Sequence, residues 1–575
     1  MPQTEKLATH TEIVTFDKGL ITKKASIVLD DGELVTAQGM SSETLGTVEP
    51  RSSKQKVSST QVGTINGIHR NNNYVFISDA GNIRWKWDLD GYCGLYVPPN
   101  GNFTAVGTLI SKSRPVFCDY EDFTFVVTGT DKKVFLDGNW YDWDMPAPQT
   151  APTGATGAAG NPSGTYSLYY TYLITFPNGT VVESPPSPAG TVTVASQIIT
   201  WSNIKPCPYE VNGLKVTRNL YRYSTGLIET YYVATISDNT TTTYSDNLAD
   251  VSLEISSILE TSGYITPPEN PDYAVLHLER VFCFVDNYIY PSVAYMPFNF
   301  NSTEVLQVTS TDDKLISGVV WGDQLCMATT STWYRLHGSD SDTWQIKSTY
   351  AHTGIINKHT MKATRYGVLG LWYDGIYLFD GSVSKNITAN KIEKSLFTGI
   401  SDINSCYAEW DGRKYYFHYP TTGTTISKRL VLDMTKYPDL VIYNDDFIPT
   451  AHEYHEITGI NYYGFNGYHY EEGGSDVCAL SLKTGDRVCK NILKEKQLEY
   501  LYYDCNTNGK DLIVTIYLDD VLAATKIINN STRTRDRVDL PNKQGYRVSI
   551  SITAADARGM IIYEPWALSV NPSGI

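Results

Sequence analysis

Apolar residues in this chain fall in short runs, and most runs stop at a pair of turn-forming residues. Residues 367–388 show the pattern: in GVLGLWYDGIYLFDGSVSKNIT, the run Ile-Tyr-Leu-Phe lies between Asp374-Gly375 and Asp380-Gly381. Asp-Gly recurs at 31–32, 90–91, 137–138 and 411–412, and Asn-Gly at 66–67, 100–101, 178–179, 212–213, 466–467 and 508–509. Such pairs take positive φ at little cost and fit the type I′ turns of tight hairpins. Helical periodicity is scarce; Ala389 to Phe397 (ANKIEKSLF) is the best short stretch. The chain reads as all-β.

The turns also have a longer rhythm. Four segments share a strand–turn–strand–turn–strand layout: AVLHLERVFCFVDNYIYP, ISGVVWGDQLCMATTSTWYRL, TMKATRYGVLGLWYDGIYLFDG and NSCYAEWDGRKYYFHYP. Their first turns fall near Glu279-Arg280, Gly322-Asp323, Tyr366-Gly367 and Asp411-Gly412, 43 to 45 residues apart. That is the length of a four-stranded propeller blade. Related stretches, NNNYVFISDAGNIRWKWDLDG, VFCDYEDFTFVVTGTDKKVFLDGNW and ITGINYYGFNGYHYEEG, bring the expected total to about six to eight blades.

The rhythm is interrupted, and the interruptions set the expected domains. Residues 1–60 read as an N-terminal extended arm or strand and 61–146 as the first propeller blades. Residues 147–164, small and rich in Ala, Pro and Gly, read as a linker. Short strands over 165–265, with turns every ten residues or so, predict an inserted Ig- or FnIII-like β-sandwich. Residues 266–494 resume the propeller, and 495–575 form a C-terminal β-sandwich.

Composition sharpens this. With 575 residues the chain exceeds one ordinary core. Its 42 tyrosines, 17 phenylalanines and 11 tryptophans favour pleated, half-buried strands. No apolar run reaches the roughly 18 residues of a membrane helix, so no membrane span is expected. The N-terminus MPQTEKLATHTEIV lacks the apolar core of a secretory signal, which predicts folding in a cytoplasm. Nine scattered cysteines without a C-x-x-C pair read as buried free thiols. The net charge of −16 argues against tight binding to nucleic acid phosphates.

Candidate chemistry is sparse. In DCNTNGKD, Asp504, Asn506 and Asn508 match the first half of a calcium loop, a weak metal candidate. The twelfth position, where a bidentate acid belongs, is Thr515, and an Asn-Gly hairpin turn is the competing reading. ISDAGNIRW approaches the Asp-box turn of sialidase-type propellers, but Ser78 and Asp79 are adjacent where that turn needs one residue between them. Acidic pairs such as Asp88 with Asp90, or Glu471 with Glu472, are expected by chance among 62 acidic residues. His452 and His455 in AHEYHE lie three apart, a spacing that suits a helix better than the surrounding strands. G-x-S-x-G, H-E-x-x-H and a phosphate-cradling Gly loop are missing from the sequence. The expectation is no enzyme, no catalytic residue and no cofactor.

Several pieces together resemble a known family: the tail nozzle, or tail tubular protein B, and related hub proteins of short-tailed bacteriophages. The opening GLITKKASIVLDDGELVTAQGMSSETLGTVEPRSS resembles the family's N-terminal strand and turn. VFLDGNWYDWDMPAP resembles a first-blade ending, and VVESPPSP, LYRYSTG and TTTYSDN resemble its inserted Ig-like domain. GLWYDGIYLFDGS resembles the recurring blade signature and MIIYEPWALSV the C-terminal strand. The chain departs from the family at Gly19, where a Gly pair is common, and at Gln38-Gly39, where Asn is expected. The resemblance implies a virion-tail protein, assembled in the bacterial host cytoplasm as a homo-oligomer, expected to be a hexamer. The ring would sit below the portal and a tail adaptor protein, with tail fibre or needle proteins beneath. Genomic DNA would pass through it without tight binding. The alternatives are a receptor- or glycan-binding tail protein and, third, a propeller glycoside hydrolase.

Overall fold

The turns of the 43-to-45-residue rhythm do separate strands. The computed structural model describes residues 10–44, 46–71, 74–79, 81–87, 103–209, 213–310, 312–489 and 493–572. Asp88, Asp90, Cys93 and the Asn-Gly pair at 100–101 lie outside these residues. Strands dominate, as expected for an all-β chain. The stretch 389–397 is helical only over Lys394–Thr398. Upstream, the amides of Lys391 and Ile392 instead close a turn onto the carbonyl of Thr388.

The chain divides into two compact units, residues 1–105, 328–333 and 348–575 in one, 106–327 and 334–347 in the other. In the first unit, four antiparallel meanders follow the rhythm. One contains Ile65–Arg70, Tyr74–Asp79 and Asn82–Trp87; another comprises Lys362–Thr364, Gly367–Trp372, Gly375–Phe379 and Ser384–Asn386. A third is made of Tyr407–Trp410, Lys414–Tyr419, Lys428–Asp433 and Val441–Asn444. The fourth, Ala451–His455, Ile460–Phe465 and Tyr468–Glu472, takes its outer strand from the N-terminal region, with Lys56 opposite Tyr470 and Lys54 opposite Glu472. First strands pack on first strands: Lys362–Thr364 on Tyr407–Trp410, that strand on Ala451–His455, and Ala451–His455 on Ile65–Arg70. The sheets therefore fan out from adjacent leading strands.

Within the stretch 1–60, expected as an extended arm or strand, several short strands pair with other strands of this unit. His10–Val14 lies antiparallel to Trp566–Pro572, and Thr47–Pro50 pairs Ile561–Tyr563. Gly19–Leu20 runs parallel both to Glu33–Gln38 and to Val441–Asn444. Glu33–Gln38 then pairs Leu480–Thr484, which pairs Val548–Ala554. The C-terminal sheets thus begin at residue 480 rather than 495. The crossing at Gly19 demands glycine: its φ is +76°, and a Cβ would meet the Ile442 carbonyl oxygen at 2.4 Å. Beneath it, Val14, Leu34, Leu482, Leu501, Ile516, Ile550 and Leu568 share one core, with Phe16 edge-on to Trp566.

The second unit holds three further meanders. Their leading strands, Val116–Tyr120, Tyr273–His277 and Ser317–Trp321, again pack in succession. Between the first two, two more sheets share a core around Tyr170, Trp201 and Leu220. One contains Thr153–Ala159, Gln197–Ser202 and Tyr244–Asp246, the other Gly164–Thr175, Val181–Glu183, Gly190–Val194, Lys215–Ser224 and Tyr231–Ile236. The expected linker thus contributes a strand, with Thr153 opposite Ser202. Its small residues hide the strand from hydrophobic periodicity yet permit close approach, since a Cβ at Gly154 would lie under 3 Å from Val192 and Trp201.

Candidate functional site

Where residues 43–54 cross the meanders 407–444 and 451–472, charged side chains enclose a cavity of about 250 Å³. Asp445 sits at its buried wall. Arg51 Nε lies 3.1 Å from one carboxylate oxygen and Arg429 Nη1 3.2 Å from the other. Arg51 also binds Asp446, at 3.0 Å from Nη2. Burial opposes both charged forms, but the two guanidiniums hold Asp445 below the usual carboxylate range, and Asp445 holds Arg429 above its ordinary value. Arg429 further lies over the ring of Tyr416, 4.2 Å from its centroid.

The lining also carries Glu43, which takes Arg413 Nη1 at 2.8 Å and the ammonium of Lys414. Asp411 accepts from the Tyr416 hydroxyl at 2.7 Å and from the amides of Arg413 and Lys414. Glu472 accepts from Asn461. Lys54 is 4% exposed, and its ammonium lies over Tyr463 at 4.7 Å and Phe447 at 5.6 Å. Its hydrogen bond goes to the Ser52 carbonyl at 3.2 Å. Burial pulls its pKa down to about 8, against the attraction of Glu472. An amine in that state is a strong donor and titrates near neutral pH.

A second concavity, of about 500 Å³, opens in the other unit between the two-sheet pair and the strands around residues 120 and 297. It is rich in tyrosine: Tyr120, Tyr221 and Tyr232 line it, and Tyr295, 71% exposed and at φ +61°, stands at its edge. Glu183 lies in the wall and accepts from the Tyr221 hydroxyl at 2.7 Å. Aromatic faces beside fixed carboxylates suit a polar ligand with apolar faces.

The residues singled out in the sequence fall elsewhere or apart. Asp504 is engaged by two guanidiniums: Arg533 binds both its oxygens, at 2.8 and 2.7 Å, and Arg535 one, at 2.8 Å. Asn506 accepts from the amide of Asn508, and Asn508 and Gly509, at φ +52° and +72°, form the hairpin turn. Among the described residues no group of three His, Cys, Asp or Glu side chains is placed to hold a metal ion. Ser78 and Asp79 end a fully buried strand, where Asp79 binds Arg84 at 3.4 Å. Glu471 and Glu472 are strand neighbours pointing to opposite faces. His452 and His455 likewise divide: His452 is buried against Asn461, and His455 contacts Arg70. The eight described cysteines are buried and free.

The charged cavity was missed by sequence reasoning because its members come from residues 43–54, 411–445 and 454–472. No local signal marked it, because Lys54 and Glu472 meet only across a ladder between segments distant in sequence.

No protein-family model matches the chain, and no curated protein matches it. Solved structures match only at low identity and low TM-score. Apo AztD from Citrobacter koseri is 10% identical over 77% of this chain and 97% of its own, with a TM-score of 0.33. The AfRom2 CNH domain is 8% identical over 69% of this chain and 99% of its own, with a TM-score of 0.22. An exo-β-1,3-galactanase from Phanerochaete chrysosporium is 8% identical over 90% of this chain and all of its own, with a TM-score of 0.20. The galactanase, together with another structure titled glycoside hydrolase, corrects one expectation: the exclusion of enzymes is not kept. That exclusion rested on missing local motifs. Carboxylates that hydrolyse glycosides come from separate strands and leave none.

Proposed function

We propose that this chain is a structural component of a short-tailed bacteriophage tail, a nozzle that forms a ring-shaped conduit for DNA. In this reading the seven meanders are blades of a propeller, the two-sheet pair within residues 153–246 is an inserted Ig-like sandwich, and the C-terminal sheets are a second sandwich. The observation that carries the reading is the threading of residues 10–56 through the C-terminal sheets and into the meanders 407–444 and 451–472. An element that transmits force without working as a hinge needs such ties, because each separate sheet then fails only with its neighbours. The sequence resemblance adds to this. The signature GLWYDGIYLFDGS is the hairpin between Gly367–Trp372 and Gly375–Phe379, and MIIYEPWALSV supplies strands Ile561–Tyr563 and Trp566–Pro572.

The net charge of −16 supports a lumen that lets a polyanion slide. Acidic walls repel phosphate over about 8 Å at physiological salt, whereas cationic walls would retain it by counterion release. The test is sedimentation of the purified chain with and without duplex DNA at 0.15 M salt. A discrete ring-sized oligomer that leaves the duplex unretained is expected. A monomer that holds DNA tightly would overturn the reading. The tyrosine-lined concavity favours a second reading, a glycan-binding tail protein, which saturable binding of a host polysaccharide abolished by Tyr295→Ala would establish.

A further inference from the structure

The charged cavity has an imbalance that hydrogen-bond accounting exposes. Each of its four carboxylates is supplied. Asp445 has Arg51 and Arg429, Glu43 has Arg413 and Lys414, Asp411 has Tyr416 and two amides, and Glu472 has Asn461. Several groups keep donors to spare. Lys54, an ammonium with three N–H bonds, spends one on the Ser52 carbonyl. The Tyr443 hydroxyl lines the cavity near the Lys414 charge, and the residue is only 2% exposed. Arg429 Nε is buried with no partner. Leaving buried donors unmet is costly, and most of all for charged ones.

We propose that the cavity is a binding site for a small oxyanion, phosphate or sulfate, held by the Lys54 ammonium and the Tyr443 hydroxyl beside the Arg429 guanidinium. An occupant rich in acceptors would meet these donors. The site is built before the ligand arrives. Lys54 is held between Tyr463 and Phe447, and Arg429 is pinned by Asp445 and Tyr416, so little side-chain freedom remains to be lost on binding. The bound anion would join residue 54 of the N-terminal segment to residues 429 and 443 of the meander 407–444. It would thereby act as a clip across elements that the chain brings together from distant positions. Ligand binding to the folded form alone then raises stability with the logarithm of ligand concentration.

The experiment is thermal unfolding and isothermal titration of the full chain with sodium phosphate and sodium sulfate, against sodium chloride at matched ionic strength. Wild type should show a saturable rise in Tm with at least one of the two oxyanions and none with chloride. Lys54→Met should bind that anion at least tenfold more weakly, and Tyr443→Phe, which keeps the ring and its packing, should weaken it several-fold. If Lys54→Met does not fold, Tyr443→Phe decides alone. Equal shifts with chloride, no saturable binding of either oxyanion, or unchanged affinity in Tyr443→Phe would each overturn the proposal. A difference between phosphate and sulfate identifies which oxyanion the site prefers.

Discussion

Acid should weaken this fold through histidines that it buries neutral, and His469 gives the cleanest case. Its ring stacks parallel to Tyr462 at 5.6 Å and meets Phe103 edge-on at 5.7 Å. Neither ring nitrogen has a hydrogen-bond partner; Nε2 is 3.8 Å from Glu471, beyond bonding range. Burial, reinforced by the nearby Lys86 charge, holds the pKa well below 6.5. The folded chain therefore keeps His469 neutral while the unfolded chain takes up a proton near pH 6.5. The stability at stake is present above pH 6.5 and lost as pH falls below it, at about 1.4 kcal/mol per pH unit. Between pH 7.5 and 5.5 the loss from this one residue comes to about 1.4 kcal/mol. His469→Phe keeps a flat ring on Tyr462 and removes the titration. Urea unfolding free energies of wild type and His469→Phe at both pH values isolate the term, because all other titrating groups cancel in the difference. The wild type should lose about 1.4 kcal/mol more than the variant. Equal losses in the two proteins would refute the claim that burial keeps this histidine neutral.

Further outcomes follow from other buried contacts. Arg222 and Asp246 are both fully buried, 2.7 Å apart, so Arg222→Met strands a carboxylate and should cost about 3 to 5 kcal/mol, while the double variant with Asp246→Asn recovers part of it in a thermal denaturation cycle. Gly19→Ala places a Cβ against the Ile442 carbonyl at positive φ and should cost at least about 1 to 3 kcal/mol, read as a drop in Tm; an unchanged Tm would mean that the parallel crossing is not a native contact. Glu564 has the opposite sign to His469. Burial and Asp17 raise its pKa to about 7, so its contribution is present below the unfolded value of 4.5 and is lost as pH rises through 7. Glu564→Gln should therefore remove about 3 kcal/mol of the stability difference between pH 4.5 and 7.5, measured by urea unfolding.

Much of the strand pattern was legible because turns leave strong local marks. Asn466-Gly467 and Asp137-Gly138 have positive φ at both positions, as their dipeptides predict. The same turn geometry at Leu278-Glu279 and Asp519-Asp520 left no such mark, because the ladders on either side impose it on residues that do not prefer it. Asn66-Gly67 misled for the converse reason. It lies inside strand Ile65–Arg70, at a register shift, where glycine accommodates a bulge instead of a reversal. At residues 373–375 the loop is Tyr373-Asp374, and Gly375 already pairs Trp372. The pairings of residues 10–56 were hidden because strands of two to six residues carry too few positions to show alternation, and most of their partners lie some 410 to 560 residues away. The charged cavity was hidden by the same separation. Lys54, Arg429 and Glu472 become a group only once the ladder between Lys54–Lys56 and Tyr468–Glu472 has formed.

The proposed ring-shaped conduit calls for electron microscopy of the purified chain at high concentration, with class averages scored for rotational symmetry. Closed rings of six copies around an opening wide enough for a B-form duplex, with an acidic inner wall, are the expected result. Rings without such an opening, or with a strongly basic inner wall, would contradict the proposal.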